Sequence, residues 1–240
     1  MDASWEEFGW ERLGHGTGRR RLPVWDATAL LVAGPDGVLL CDTGSSLREG
    51  VELRVQAEAL LGRRVTHIAL SHPHFDHVLG TAAFAGAQVY GSEGTAELLR
   101  GGAGELYADA VAQGLPEADA AEAADVLVAP RHEVRGELTV DLGGGREAVL
   151  VDVGAAHSGH DLAVLVPGSP ALVFCGDLVE ESGEPQAGPD ASPARWPAAL
   201  DRLLELGGED ALYVPGHGAV VDAAFVRAQR AALAGRFGVS

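Results

Sequence analysis

Residues 71–77, with the sequence SHPHFDH, restrict the local fold more than any other part of the chain. The segment concentrates histidine, of which the chain of 240 residues has only 9. Pro73 disfavours the helical conformation at His72 and cannot itself occupy a helix interior. His72 and His74 are therefore predicted to lie two residues apart on extended chain, with their side chains on the same side.

The same segment carries further donor groups. Asp76 and His77 follow directly and can point to a second position a few ångströms away. Imidazole and carboxylate groups are the ligands that suit zinc, iron or manganese. The spacing differs from a helical His-Glu-x-x-His zinc site, which Pro73 also forbids. The pattern therefore predicts a metal centre, and the alternative is a surface loop that is rich in histidine and binds no ion.

Short apolar runs alternate with helical patterns on both sides of this segment. The pattern indicates two mixed β-sheets packed face to face with helices on the outer faces, an αββα sandwich of the α/β class formed by one domain over 1–240. Strands are predicted at 27–34, 37–44, 64–72, 87–92, 136–142, 147–153, 162–166, 171–175 and 211–216. Helices are predicted at 47–61, 78–85, 93–100, 197–206 and from about 222.

Three local patterns lead to more specific expectations. In the helix at 47–61, Val51, Val55 and Ala59 form one apolar stripe that should face the core. The stretch 101–125 indicates a helical insertion, anchored at its start and weakly patterned towards Asp125, which we expect to cover a binding pocket. The alternative is a surface helix without function. The RRR run at 19–21 is predicted to be a solvated edge.

Composition excludes several function classes. The formal net charge is −18, which argues against nucleic acid and against anionic membrane surfaces as partners. Cys41 and Cys175 lie in separate apolar runs and are predicted to be buried free thiols. The acidic N-terminus has no apolar leader, so we expect a soluble, cytoplasmic protein. The oligomeric state is left open.

The histidine motif and four other segments together resemble the metallo-β-lactamase superfamily. The HPHFDH run matches the H-x-H-x-D-H signature of that family. Each of the other segments resembles a family motif in the same order along the chain. They are LCDTG at 40–44, AHSGHD at 156–161, FCGDL at 174–178 and VPGHG at 214–218.

The resemblance implies a ligand set for two metals. His72, His74 and His157 would hold one ion. Asp76, His77 and His217 would hold the other, and Asp177 would bridge both. Asp42 would orient a ligand rather than bind metal.

Each of these roles has a structural alternative. His157 and His217 could be loop histidines, Asp42 could be a turn residue, and Asp177 could be a helix N-cap. His160, three residues after a predicted ligand, could reach the substrate or could be a solvated loop histidine. Two further candidates for substrate contact are Arg195 and Trp196, although Trp196 before Pro197 is more typical of a helix-start anchor.

The resemblance also implies the chemistry. Two divalent ions, most simply zinc with iron or manganese as alternatives, would supply a bridging hydroxide at neutral pH. Asp76, close to that water, would relay protons. The implied function is hydrolysis of a small-molecule substrate: a small ester, thioester, lactone or phosphoester. The alternatives are a mononuclear iron persulfide dioxygenase of the same fold and a non-catalytic metal-binding or sensor module.

Overall fold

The computed structural model describes residues 4–239 and consists of two β-sheets between layers of helices. The first sheet has the order β1 (Glu11–Gly14), β2 (Thr17–Arg21), β3 (Thr28–Ala33), β4 (Val38–Cys41), β5 (His67–Ala69), β6 (Gln88–Ser92), β7 (His132–Val134). The second sheet contains β8 (Glu137–Asp141), β9 (Glu147–Gly154), β10 (Asp161–Val166), β11 (Leu172–Glu180) and β12 (Leu212–His217), in the order β12-β11-β10-β9-β8.

Both sheets are mixed. In the first, β1 to β4 pair antiparallel and β4 to β7 pair parallel. In the second, β11 and β12 pair parallel, and the other pairs are antiparallel. The helices are α1 (Leu47–Leu61), α2 (Phe75–Val78), α3 (Thr95–Gly101), α4 (Ala103–Ala112), α5 (Glu117–Asp125), α6 (Trp196–Gly207) and α7 (Ala223–Phe237).

Apolar side chains on both faces of each sheet hold the four layers together. In β3, Leu30 and Val32 enter the layer between the sheets, whereas Ala29 and Leu31 face the helices outside the first sheet. Strands buried on both faces have continuous apolar sequences rather than alternating ones, as β3 does. On the far side, Trp196 and its neighbours on α6 pack with α7 against the second sheet. The predicted αββα sandwich is therefore confirmed.

The burial of α1 contradicts the predicted stripe. Val51 and Val55 are 42% and 49% exposed, and the buried face carries Gly50, Leu53 and Ala57. A Cβ atom on Gly50 would lie 2.3 Å from the carbonyl oxygen of Gly80. The helix thus presents its smallest residues to the backbone beside the histidine motif.

Other expectations also need correction. The helix predicted at 78–85 is replaced by α2 and a 3₁₀ turn, Thr81–Ala83. Strands β1, β2 and β7 were not predicted. The RRR run forms the end of β2, and Arg19 is only 4% exposed. Its guanidinium group donates to Glu11 and to the carbonyl oxygen of Gly218, both at 2.7 Å, so burial is offset by hydrogen bonds.

The segment 101–125 is helical, as predicted, and forms α4 and α5. Leu106 and Ala110 are buried on α4. The expectation that its later part lacks anchors is wrong, because Ala120 and Ala123 of α5 are fully buried. Both predicted thiols, Cys41 and Cys175, are buried and free. Among the described helices, none combines the length and the apolar character that a membrane crossing requires.

Candidate metal centre

The histidine motif begins where β5 ends and continues into α2. His74 is the N-cap residue of α2 and has an extended backbone, with φ −88° and ψ 152°. Pro73 therefore has the predicted effect, and the helix begins only after His74. Asp76 and His77 follow within the first turn and are buried. The short distance along the chain brings four donor side chains to one end of the first sheet.

The second sheet contributes the remaining donors. His157 lies in the connection between β9 and β10, Asp177 lies within β11, and His217 ends β12. Strand β11 passes close to the motif, because a Cβ atom on Gly176 would lie 2.8 Å from the Cβ atom of Ser71. The predicted ligands thus converge where the edges of the two sheets meet.

The donor atoms form two groups, and Asp177 lies close to both. One group contains His72, His74, His157 and Asp177, and the other contains Asp76, His77 and His217, with the donor atoms of each group within 4.8 Å of one another. Asp177 Oδ2 lies 3.7 Å from His72 Nε2 and 3.2 Å from His217 Nε2. The Oδ1 atom lies 3.2 Å from His77 Nε2. Asp177 therefore lies between the two groups, and its role as a shared metal ligand stays a prediction.

Asp42 determines the protonation of the two most buried histidines. Its Oδ2 atom accepts hydrogen bonds from His77 Nδ1 at 2.7 Å and from Ser71 Oγ at 2.6 Å. Because Ser71 donates its single hydroxyl proton to Asp42, its oxygen accepts from His72 Nδ1 at 2.9 Å. Both imidazoles are thus protonated on Nδ1. Their Nε2 lone pairs point into the site.

The other three histidines are held in the same manner. His157 Nδ1 donates to the carbonyl oxygen of Gln186 at 3.1 Å, and His217 Nδ1 donates to that of Trp25 at 2.7 Å. His74 Nε2 donates to Asp190 Oδ2 at 3.0 Å. A carbonyl or carboxylate oxygen accepts only, so each bond fixes the tautomer and leaves the other ring nitrogen with a lone pair facing the site.

A bound cation would satisfy these lone pairs. His72 Nε2, His77 Nε2 and Asp177 Oδ1 are buried and have no hydrogen-bond partner among the described residues. His157 Nε2 and His74 Nδ1 lie 3.0 Å apart although both carry lone pairs. Unpaired buried acceptors cost free energy unless something satisfies them. The donor set therefore fits divalent metal ions, and its nitrogen and carboxylate composition suits zinc, iron or manganese.

Burial and nearby charges shift the pKa values of the ligands. Burial lowers the pKa of His157 to about 4, which keeps the imidazole in the neutral form that binds metal. Burial also opposes protonation of His217, but the negative charges of Asp177 and Asp76 outweigh it and raise its pKa to about 9. A proton and a cation therefore compete for His217 Nε2.

The backbone of Asp42 is also distinctive. Its φ of +57° lies in the left-handed region that aspartate tolerates better than most residues. The carboxylate is buried, and its Oδ1 atom accepts from the backbone nitrogen of Ser71 at 2.7 Å. Asp42 is thus both a turn residue and the support of two histidines.

The three residues proposed from the sequence for substrate contact, His160, Arg195 and Trp196, do not line the cavity above the donor groups. His160 Nδ1 donates to the carbonyl oxygen of Glu93 at 2.7 Å, and His160 does not contribute to the cavity described below. Arg195 is exposed outside that cavity. Trp196 is fully buried, and its indole nitrogen donates to the carbonyl oxygen of Leu178, as expected of a helix anchor.

A cavity of about 700 Å³ opens above the donor groups. Its walls come from Trp25 and Phe75 on one side, from α3 and α4, and from the loop at 182–190. Leu106 of α4 lies in the wall, whereas no residue of α5 does. The first half of the predicted insertion therefore borders the cavity, and its role in substrate selection stays a prediction.

Sequence reasoning missed several supporting residues. Ser71 could have been found, because it precedes the motif directly. Asp190 lies in a loop rich in proline and glycine, and nothing in the sequence connects it with His74. Trp25 and Gln186 act through backbone carbonyl oxygens, which any residue type carries.

Comparisons with known proteins agree with this geometry. The sequence profile of the metallo-beta-lactamase superfamily matches residues 22–217. Metallo-beta-lactamase domain-containing protein 1 of Xenopus laevis is 27% identical over 197 residues, which cover 80% of this chain and 71% of that protein.

Solved structures give the same result for the fold. The metallo-beta-lactamase FIM-1 from Pseudomonas aeruginosa, in its mono-zinc form, superposes with a TM-score of 0.70 at 20% identity, covering 95% of each chain. The metallo-beta-lactamase from Pontibacter korlensis gives a TM-score of 0.72 at 22% identity, covering 93% of this chain and 97% of that one. At these identities the likeness shows a shared fold.

Proposed function

The chain belongs to the metallo-beta-lactamase superfamily, and we propose that it is a dizinc hydrolase acting on a small ester, thioester, lactone or phosphoester. One observation carries this proposal. Seven donor side chains form two groups around the shared Asp177, and all five histidines among them have the second ring nitrogen engaged by an oxygen acceptor. Because the side chains are arranged to bind two cations, we expect a hydrolytic reaction that uses both.

The side chains of this protein would hold the two metal ions and orient the reacting groups. His72, His74 and His157 would bind one ion and Asp76, His77 and His217 the other, with Asp177 reaching both. Two bound divalent cations would lower the pKa of a water molecule to about 7 and polarise the oxygen under attack. Asp76 would take up the proton from such a water, and the distance of 3.4 Å from its Oδ2 atom to the Nε2 atoms of both His77 and His217 supports this role.

The metal count separates the proposed function from its alternatives. Purified protein should contain about two zinc ions per chain by elemental analysis. One iron per chain together with persulfide oxidation would establish the dioxygenase alternative instead. Two metals without hydrolysis of any substrate class would favour the binding or sensor alternative.

A substrate panel tests the reaction itself. Esters, thioesters, lactones, phosphodiesters and β-lactams should be assayed, the last because the structurally similar proteins are metallo-beta-lactamases. We expect hydrolysis of at least one class, lost on chelation and restored by zinc. The His74→Ala variant should lose this activity, while Arg195→Ala, outside the cavity, should retain it. Equal activity of the two variants would refute the assignment of the site.

A further inference from the structure

The side chains around the cavity are strongly acidic. Seven carboxylates border it, and no arginine does, although all 17 basic residues of the chain lie within the described residues. Three of the seven, Asp76, Asp177 and Glu180, lie in groups of side chains that could hold a metal. The other four are Glu105, Asp109, Glu184 and Asp190.

Bound metals would not neutralise this charge. Two divalent cations offset four of the seven negative charges and leave three. The chain's net charge of −18 adds to the same potential rather than opposing it. Since a cleft lined by one sign of charge concentrates the field within it, the cavity should repel anions and attract cations even with its metals bound.

The two carboxylates on α4, Glu105 and Asp109, make no evident contribution to the stability of the fold. Glu105 and Asp109 lie one helical turn apart, both exposed, and neither makes a salt bridge or a side-chain hydrogen bond within residues 4–239. Like charges at this spacing destabilise a helix slightly. A place in the first turn of α4 favours Glu105 through the helix dipole, but Asp109 has no such benefit.

Three arginines pair with carboxylates away from the cavity: Arg202 with Glu137, Arg227 with Glu209 and Arg230 with Asp201. Arg236 donates to the carbonyl oxygen of Pro185 in the loop beside the cavity, but it does not line the cavity.

The floor and walls of the cavity show that it is a built site. The unpartnered Nε2 atoms of His72 and His77, whose side chains are 1% and 0% exposed, face the metal groups at its floor. Trp25 and Phe75 pack edge to face in its wall, with ring centroids 5.3 Å apart. Aromatic faces attract cations as well as apolar groups.

Resting on the proposed function, we propose that this hydrolase selects substrates that carry a positive charge, such as a protonated amine or a quaternary ammonium group, on an apolar body. The metals act on the bond to be hydrolysed. Glu105 and Asp109 determine specificity by attracting the cationic part of the substrate.

Three aryl acetates with the same reacting bond test this preference: 4-(trimethylammonio)phenyl acetate, the neutral 4-tert-butylphenyl acetate and the anionic 4-carboxyphenyl acetate. The cationic ester should have a kcat/KM that falls as ionic strength rises, and the anionic ester one that rises. Binding of phenyltrimethylammonium and of benzoate, measured by calorimetry on zinc-loaded protein, gives a readout that is independent of turnover.

A charge-matched pair of variants locates the effect. Glu105→Gln/Asp109→Asn removes two charges from the cavity wall, and Glu122→Gln/Asp125→Asn removes two exposed charges from α5. For each ester the ratio of wild type to variant cancels differences in leaving-group reactivity. The α4 variant should lower kcat/KM for the cationic ester by about 2- to 30-fold, with little effect on the neutral one, and the α5 variant should change neither.

The outcomes separate this inference from the proposed function. Equal responses of the three esters, or equal effects of the two variants, would overturn the charge preference while leaving the hydrolase intact. If no ester is hydrolysed in a metal-dependent manner, the proposed function loses support. The calorimetry then still decides the inference, which fails if phenyltrimethylammonium binds no better than benzoate or binds the α4 variant as tightly as wild type.

Discussion

Replacing Asp42 with asparagine should weaken the metal that His77 binds more than the other. The Asp42 carboxylate accepts three hydrogen bonds, from Ser71 N, Ser71 Oγ and His77 Nδ1, at 2.6–2.7 Å. An asparagine amide has one acceptor oxygen and one donor group, so in either orientation an N–H group faces another donor.

Each orientation has a defined consequence. If the amide nitrogen replaces Oδ2, it faces His77 Nδ1–H, and the ring relieves the contact by moving its proton to Nε2. That atom faces Asp76 and Asp177 and would no longer offer a lone pair. If the nitrogen replaces Oδ1, it displaces the backbone of Ser71. The backbone at position 42 does not oppose the change, since asparagine tolerates the φ of +57° as aspartate does.

The expected loss is about 10- to 100-fold in affinity for the affected metal, or about 1.4–2.7 kcal/mol. Competition with a chromogenic chelator measures the dissociation constants of the two metal equivalents separately. Only one of the two constants should rise strongly in Asp42→Asn. Asp201→Asn is the control, because that carboxylate pairs only with Arg230 on the outer helices.

Two results would refute this reasoning. The first is wild-type affinity for both metals in Asp42→Asn. The second is an unchanged His77 tautomer, which ¹⁵N NMR of the imidazole nitrogens reports directly. A circular dichroism spectrum and a melting curve of the zinc-loaded variant establish that it is folded, so that a loss of metal is not mistaken for unfolding.

Three further substitutions test other parts of the site. Asp177→Ala should release at least one metal equivalent, and most of the activity, while the far-UV circular dichroism stays unchanged; full metal content would show that Asp177 is not shared. Asp190→Ala should weaken only the metal bound by His74, by about 10-fold, because the ring loses its orienting acceptor; chelator competition that shows an equal change at both metals would contradict this. Gly80→Ala places a Cβ atom 2.0 Å from the Thr43 carbonyl oxygen, so urea unfolding should show a loss of about 1–3 kcal/mol, whereas Gly235→Ala, with open space around it, should not destabilise.

Part of the candidate site was predictable because local constraints act on the histidine motif. Pro73 forces His72 and His74 onto extended chain whatever the rest of the fold does. The later ligands His157, Asp177 and His217 were inferred from the resemblance, since no local signal links loops so distant in sequence. The supporting bonds could not be inferred, because they depend on which backbone carbonyl groups the folded chain brings near.

In the fold, too, features with a local sequence signal were predictable and features that depend on distant contacts were not. The alternation of strands and helices indicated two mixed sheets, and the two sheets are observed. The buried face of α1 was assigned wrongly because hydrophobicity alone favoured Val51 and Val55. The contact between Gly50 and the backbone of Gly80 determines that face, and close approach leaves no apolar signature in a sequence. Strand β2 was missed for a related reason, since its arginines owe their burial to partners far along the chain.

The hydrogen bonds that hold the histidines link the candidate metal centre to the walls of the cavity. Trp25 borders the cavity with its side chain and holds His217 with its carbonyl oxygen. Gln186 does the same for His157, and Asp190 orients His74 from the same loop. A sequence change that reshapes these loops for another substrate therefore also moves the acceptor that fixes a metal ligand. On α4, in contrast, the side chains of Glu105 and Asp109 make no hydrogen bond or salt bridge to a predicted ligand within residues 4–239, so the charge of the cavity can change there without displacing an acceptor that orients a ligand.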